Sequence, residues 1–412
     1  MRKKTEIGKK NQIRLFLLAE VLLGVGLFGR FYEAWVNRMD STVLAFSYKY
    51  GFISRGLVGT FYQWLDEILP ADLMNQEAVV TYTLCVTLIF YVLMLGFFGL
   101  CLYRADTSVG SLMCVIVFFT VFAVPISSAH FNFGRPDIYC LILSTAAAIL
   151  LIVKRAEWLV VPLAALGVMI HQGNVFMYLN IILMLLLYRV LSTVGRERKK
   201  YVFLLSAAFL AASALFLYFE FFSHVNGEEF YPEIVNTAQK LTKDGKIHQD
   251  LVDKEILGID LTDREEEDHR ANFVQLGVFL LLMLPYILIL IRFFRRLIKN
   301  AKTKTDQWKY VFAALGAGTI LPDLLLKIDY GRWMFAVISY YCIVILAMSA
   351  MGDEGVFKAL TPEGERTPAC KAAVAVLLVY PLLLQPLEDV NINYITEAAA
   401  DYINDALGLG WW

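Results

Sequence analysis

SSAHFNFGRPD, residues 127–137, decides the fold of this chain: two serines, a histidine, an arginine and an aspartate are caught between apolar runs long enough to cross a membrane. Three other interruptions resemble it, YGFISRG at 50–56, HQGN at 171–174 and KIDYGRW at 327–333. If all four face one side of a bilayer they form a site, and if they alternate they are connecting loops. Topology therefore governs the functional reading.

Of 412 residues, 58% are hydrophobic and only 18% charged, an apolar surplus beyond what one soluble core can use. The expected fold is all-α, a polytopic integral membrane helical bundle forming a single transmembrane domain over residues 1–412. The net charge of -1 carries little information, because charge along the loops of a membrane protein matters more than its sum. It implies no nucleic-acid partner. Cys85, Cys101, Cys114, Cys140, Cys342 and Cys370 are scattered, mostly inside apolar runs, with neither a CxxC pair nor zinc-ligand spacing. The basic N-terminus followed by an apolar run lacks a small-x-small cleavage site, so it reads as an uncleaved first span entering from the cytoplasm.

Candidate spans lie at 15–32, 79–103, 109–126, 138–153, 158–170, 175–188, 201–222, 273–291, 311–326, 333–351 and 372–384, about eleven in all against a requirement of roughly 20 helical residues each. Three of them, 138–153, 158–170 and 175–188, are short for that length and read as short or re-entrant. Orientation follows from Lys and Arg near the span ends. With the basic N-terminus inside, Arg104, Lys154 with Arg155, the cluster at 196–200 and the cluster at 292–304 all fall on the cytoplasmic side. An acidic loop at 223–272 and a tail at 387–412 without Lys or Arg fall outside. All four polar interruptions then face outward. Because the two arms flanking HQGN are short, that turn sits below the outer surface, where irregular backbone must line protein or a wet cavity. The stretch 33–77 is an outer interfacial loop with aromatics three and four apart, as amphipathic helices lying in the interface have.

Each charged residue in these stretches carries two readings. Pro136 and Asp137 suit the start of a helix, so Asp137 is either a cap at the positive helix end or a base. Arg135, beside His130, either reaches lipid headgroups or clamps a phosphate through its guanidinium fork. Arg55, between glycines, is an interfacial basic residue or a ligand contact. Asp329 and Arg332 are three apart, able to pair as a structural salt bridge or to act as base and phosphate-binding arginine. Asp323, inside an apolar run, is functional or pairs in the interior. His171 exchanges protons near neutral pH or is a hydrogen-bonded structural residue. Glu20 is expected to snorkel, and Glu33 and Asp40 follow the first span on the outer side as isolated acids.

RGLVG at 55–59, GRPD at 134–137, IHQ at 170–172 and DYGRW at 329–333 resemble bacterial polytopic proteins from surface-polysaccharide loci. These look like Wzy-type and related exopolysaccharide polymerases, within the wider class of GT-C-like integral-membrane glycosyltransferases. The resemblance covers most of the chain in layout. It implies glycosyl transfer from polyprenyl-phosphate-linked or polyprenyl-diphosphate-linked sugars at the outer face, with Arg55, Arg135 and Arg332 as the diphosphate contacts. The chain departs from the class in lacking a paired acidic motif in the first outer loop and in having Gln172 after the loop histidine.

The expected function is a membrane glycosyltransferase or polymerase acting in surface polysaccharide biosynthesis in the bacterial inner or cytoplasmic membrane, alongside other polysaccharide-assembly proteins. Asp137 or Asp329 is the expected base, Arg55, Arg135 and Arg332 carry the leaving diphosphate, and His130 and His171 position groups or relay protons. No metal or other cofactor is called for. The alternatives are a transporter or flippase of lipid-linked oligosaccharide, which needs polar groups along both halves of a pathway, and a membrane acyltransferase using His171.

Overall fold

The computed structural model describes residues 2–31, 36–105, 109–128, 134–223, 227–258, 277, 280–281, 283–322, 330–360 and 368–380. Every regular element among them is helical. The long helices are α1 (Arg2–Phe31), α4 (Gln76–Arg104), α5 (Val109–Ser128), α6 (Pro136–Val153) and α10 (Gly195–Phe221), with two short connecting helices, α2 (Arg38–Val43) and α3 (Gly56–Ile68), between α1 and α4. Three pieces, α7 (Val160–Ile170), α8 (Asn174–Met177) and α9 (Leu179–Ser192), lie between α6 and α10. The remainder comprises α11 (Gly227–Leu241), α12 (Gln249–Val252), α13 (Leu284–Lys299), α14 (Lys304–Leu315), α15 (Tyr330–Ala350), α16 (Glu354–Leu360) and α17 (Pro368–Val379).

Among the described residues, four stretches are long and apolar enough to cross a bilayer, Gln76–Arg104, Pro136–Val153, Gly195–Phe221 and Arg332–Ala350, and three shorter apolar helices accompany them. Their surroundings fit that use. Leu88, Ile89 and Val92 of α4, and Phe203, Phe209, Leu210 and Leu217 of α10, point out of the bundle. Exposed apolar belts of this kind are unfavourable in water and natural against lipid tails. Inside, the helices approach on small residues: Ala147 and Ala148 of α6, Ala164 of α7 and Ala208 of α10 are fully buried.

Helix ends follow local chemistry. Asn75 accepts from the Ala78 N–H at 2.9 Å and starts α4, while Arg104 at its other end donates to the Ile152 carbonyl at 2.7 Å. Pro136 occupies the first turn of α6 and Arg135 before it is extended, as the residue preceding a proline must be. The opposite end of α6 stops at Lys154 in the left-handed conformation. The GRPD end and the basic end of this helix therefore lie at opposite ends of the bundle.

The arms around HQGN are eleven and fourteen residues long, about 16 and 21 Å at 1.5 Å per residue. Both fall short of the bilayer core, and α8 fills the turn between them. The 33–77 stretch contains the expected amphipathic helix: α3 buries Val58, Gly59 and Tyr62 and exposes Phe61, Trp64 and Ile68. The start of the acidic loop is not simply solvated. Helix α11 buries Ile234 and Ala238, and the Lys49 ammonium donates to Glu233 at 2.9 Å. The tail at 387–412 lies outside the described residues.

Glu20 departs from its expectation. It is 2% exposed, its carboxylate accepts from the Thr120 hydroxyl at 2.6 Å, and its backbone oxygen accepts from Tyr91 at 2.7 Å. Its side chain is too short to leave the α1–α4–α5 contact, so it is satisfied internally instead of reaching water. At the basic end, Lys309 sits 2.8 Å from Asp353, whose carboxylate also accepts from Tyr310 at 2.7 Å, Tyr188 at 3.2 Å and the Val356 N–H at 3.1 Å. This network ties α9, α14 and α16 together with every oxygen of the carboxylate in use.

Candidate active site

The site is built from segments far apart in sequence that meet at the end of the bundle opposite Lys154. Asn37 caps α2 by accepting from the Met39 N–H at 2.8 Å, which fixes the helix and places Asp40 in its first turn. Asp40 is 3% exposed. Neither of its carboxylate oxygens has a hydrogen-bond partner among the described residues, and its nearest cation is the Arg135 guanidinium, with Nε 3.9 Å from Oδ2.

Gly134 makes that approach feasible. Its φ is +102°, and a Cβ there would fall 2.6 Å from Val36 Cγ1 and 3.5 Å from Asp40 Cβ. No other residue allows the GRPD backbone to lie this close to α2. Pro136 then aims the chain so that Arg135 and Asp137, both 7% exposed, enter the bundle on either side of the proline.

Asp137 is firmly held. Its Oδ2 accepts from Arg332 Nη2 at 2.8 Å and Nε at 3.1 Å, and its Oδ1 accepts from the Tyr178 hydroxyl at 3.3 Å. Arg332 thus forms a long-range pair between α15 and α6, while the expected pairing with Asp329 falls outside the described residues. Arg332 Nη2 also lies 3.4 Å from His171 Nε2. His171 ends α7, and its Nδ1 accepts from the Gly173 N–H at 2.9 Å. That bond assigns the neutral ring's proton to Nε2, so in the neutral form the ring sits beside the guanidinium without accepting a bond from it.

Arg55 adopts the left-handed conformation, φ 60°, directly before α3. Its Nε stands 3.4 Å from Glu255 Oε1, and both side chains are largely buried. The interfacial headgroup role is therefore not what this arginine does in the fold.

Electrostatics single out Asp40, which lies on a connecting helix outside the spanning segments. Burial pushes its carboxyl up to about 7, opposed by Arg135, Arg332 and Arg55 and assisted by the neighbouring Asp137. The same interactions show that Arg55, Arg135, Arg332 and Asp137 gather around one carboxylate. A carboxylate with no hydrogen-bond donors keeps little reason to ionise beyond that positive field.

Of the residues expected from sequence, Arg55, Arg135, Asp137, His171 and Arg332 come together. His130, Asp329 and Asp323 lie outside the described residues. Sequence reasoning missed Asp40 as a site residue, together with Tyr178 and Glu255. The only local hint for Asp40 is its position three residues after a capping asparagine, which implies a helix but not what the helix faces. No group of three metal-ligating side chains comes together among the described residues.

A separate apolar groove of about 560 Å³ runs between α5, α13, α15 and α17, lined by Phe118, Tyr286, Met334, Val337, Ile338 and Tyr341 among others. At 3.6 residues per turn, Met334 points roughly 200° away from Arg332 around α15. The groove and the charged cluster therefore occupy different faces of this helix.

The described residues define an all-helical protein with four helices suited to crossing a bilayer and a cluster of arginines around a buried carboxylate at one end. Comparison with protein-family models, with curated proteins and with solved structures gives no match for this chain.

Proposed function

We propose that this protein is a polytopic glycosyltransferase of the bacterial cytoplasmic membrane, of polymerase type, using polyprenyl-phosphate-linked or polyprenyl-diphosphate-linked sugars at the outer face. The observation that carries this reading is Asp40, a buried carboxylate without hydrogen-bond donors among the described residues, lying among Arg55, Arg135 and Arg332. Transfer requires a base for the acceptor hydroxyl and fixed positive charge for the departing phosphate. Here both stand within one cluster.

In the proposed reaction an acceptor hydroxyl oxygen bonds to the anomeric carbon of the lipid-linked sugar. Its proton passes to Asp40, and the bond from that carbon to the phosphate oxygen breaks with the electron pair leaving on the lipid phosphate. Arg135 and Arg332 stabilise the charge that develops there. Asp137 is committed to Arg332 through two hydrogen bonds and to Tyr178 through a third, so it serves better as the group that orients the arginine than as the base. His171 lies beside the same guanidinium. An orientation with this cluster outside agrees with the basic residues at 154–155, 196–200 and 292–304 lying cytoplasmic, and with a topology of about eleven crossings including re-entrant ones.

The test is polymer length in cells. With protein levels intact, Arg135→Ala is expected to abolish or shorten the polysaccharide, and full-length polymer from that variant overturns the assignment. Supplying purified protein with a lipid-diphosphate glycan and following chain growth against translocation separates the transferase from a flippase.

A further inference from the structure

The Arg55–Glu255 contact differs in kind from the Arg332–Asp137 pair. Arg332 grips its partner with two hydrogen bonds at 2.8 and 3.1 Å. Arg55 and Glu255 approach only to 3.4 Å, without hydrogen-bond geometry at the arginine Nε. A largely buried guanidinium held this loosely is open to a better anion, because phosphate offers more oxygens and more charge in a matching fork geometry.

Glu255 belongs to a strap. Helix α12 runs into a π-helical turn, Asp253–Leu257, which ends at Gly258 with φ +67°. Such turns recur where function needs an irregular helix. Leu251, Val252 and Ile256 face inward, and Tyr231 of α11 donates to Asp253 at 2.6 Å, so the strap has its own footing on α11. Among the described residues its polar links to the segment carrying Asp40 and Arg55 are few: the His248 N–H to Thr42 Oγ1 at 3.1 Å, and Glu255 itself.

Charge arithmetic gives the strap a role. Arg55, Arg135 and Arg332 stand against Asp40, Asp137 and Glu255, a balanced set when every carboxylate is ionised. An incoming phosphate or diphosphate would leave the cluster in excess negative charge. Expelling Glu255 offsets one of those charges and frees a guanidinium at the same moment. The left-handed backbone at Arg55 fits this, since such strain in a residue other than glycine persists where the surroundings hold a side chain in place for use.

Resting on the reading of this cluster as a phosphate site, we propose that Glu255 is a resident anion on Arg55 that the substrate phosphate displaces. The strap 249–258 thus closes on the cluster through Glu255 and is released when substrate binds. The contact is autoinhibitory and sets the threshold at which a phosphorylated lipid is admitted.

Inorganic diphosphate is a sufficient probe, applied to the full chain in lipid nanodiscs. Glu255→Gln is expected to bind diphosphate at least about fivefold more tightly than the native protein, by removing the competing carboxylate. Amide exchange across 249–257 should quicken when diphosphate is added to the native protein, and should be quick already in Glu255→Gln without it. If the glutamine variant is unstable, Glu255→Asp, whose shorter side chain weakens the same contact, should shift affinity in the same direction. Unchanged or weaker binding in these variants, or slower exchange on adding diphosphate, overturns the strap. If diphosphate binding is lost in Arg135→Ala but indifferent to Glu255, the phosphate site stands and the strap alone falls. Absence of binding to both the native protein and Glu255→Gln overturns both.

Discussion

Asp40 Oδ2 lies 3.9 Å from Arg135 Nε, a contact between the connecting segment after α1 and the turn that opens α6, made feasible by Gly134 between them. The contact is too long for a hydrogen bond and close enough for strong attraction in a region of low dielectric constant. It leaves the carboxylate polarised but unencumbered, which is what a proton acceptor requires.

A first consequence concerns pH. With its carboxyl raised to about 7, Asp40 becomes ionised as pH climbs through neutrality, so kcat/KM for transfer should rise with pH and level off above that value. The groups facing it, Arg135, Arg332, Asp137 and Arg55, set the position of the inflection. Asp40→Asn should reduce kcat by about 10²- to 10⁴-fold, the usual contribution of a positioned base. An inflection retained in the residual activity of that variant would assign the titration to another group.

Stability should move the other way. A carboxyl raised in the fold from 3.8 to about 7 stabilises the native state fully only below the unfolded value, and that contribution is lost as pH rises through the folded value. Asp40→Asn removes the penalty, so its thermal midpoint should exceed that of the native protein, by a margin larger at pH 8 than at pH 5. The gain is bounded at roughly 4 kcal/mol from the shift in proton affinity. Equal midpoints at pH 8 would show that the carboxyl is not perturbed.

Asp137 and Arg332 should behave as a structural unit that also serves the site. Replacing one partner leaves the other charge buried, so Asp137→Asn or Arg332→Gln alone should cost about 3–5 kcal/mol of stability in chemical or thermal unfolding. The double variant should recover part of that loss without recovering polymer synthesis. Additive losses in the double variant would deny the coupling.

Gly59 offers a test of the scaffold. A Cβ at this position would lie 2.0 Å from the Phe46 carbonyl oxygen and 2.7 Å from that of Leu44, both backbone atoms that cannot swing aside. Gly59→Ala should therefore force α3 off the segment that follows α2, costing about 1–3 kcal/mol or more. Activity should fall with it, because that segment holds Asp40 and Arg55 in register. Unchanged unfolding of this variant would contradict the packing.

The basic end of the bundle should tolerate little at Asp353. Its carboxylate serves Lys309, Tyr310, Tyr188 and the Val356 N–H, so Asp353→Ala strands a buried ammonium and should cost about 3–5 kcal/mol. Transfer by the surviving folded fraction should be normal, since the network lies at the far end from Asp40. A specific loss of activity at unchanged stability would point to a pathway through the bundle.

Much of this was legible in the chain alone. An apolar composition and long uninterrupted runs suffice to fix helices, because backbone groups in hydrocarbon must be satisfied within their own segment. The GRPD, HQGN and DYGRW interruptions were visible as charges in apolar surroundings, and Arg55, Arg135, Asp137, His171 and Arg332 do converge. Partners were not legible. Helical spacing is the only proximity a sequence displays, so it offers Arg332 a neighbour three residues away and gives no sign of Asp137, its partner on another helix. An isolated acid in an apolar run has no visible hydroxyl beside it, so the sequence alone points Glu20 toward the surface. Thr120, on α5, provides one.

The sequence by itself determined that the chain is helical and apolar enough for a membrane, and that a few arginines, acids and a histidine break its hydrophobic runs. Only the tertiary structure decided which acid stands without a hydrogen bond among the described residues and which is held. Asp40 and Asp137 are the same side chain with the same intrinsic acidity. One is bonded by Arg332 and Tyr178, and the other is desolvated among arginines without a hydrogen-bond donor among the described residues. That difference arises from contacts between helices, which no local pattern records.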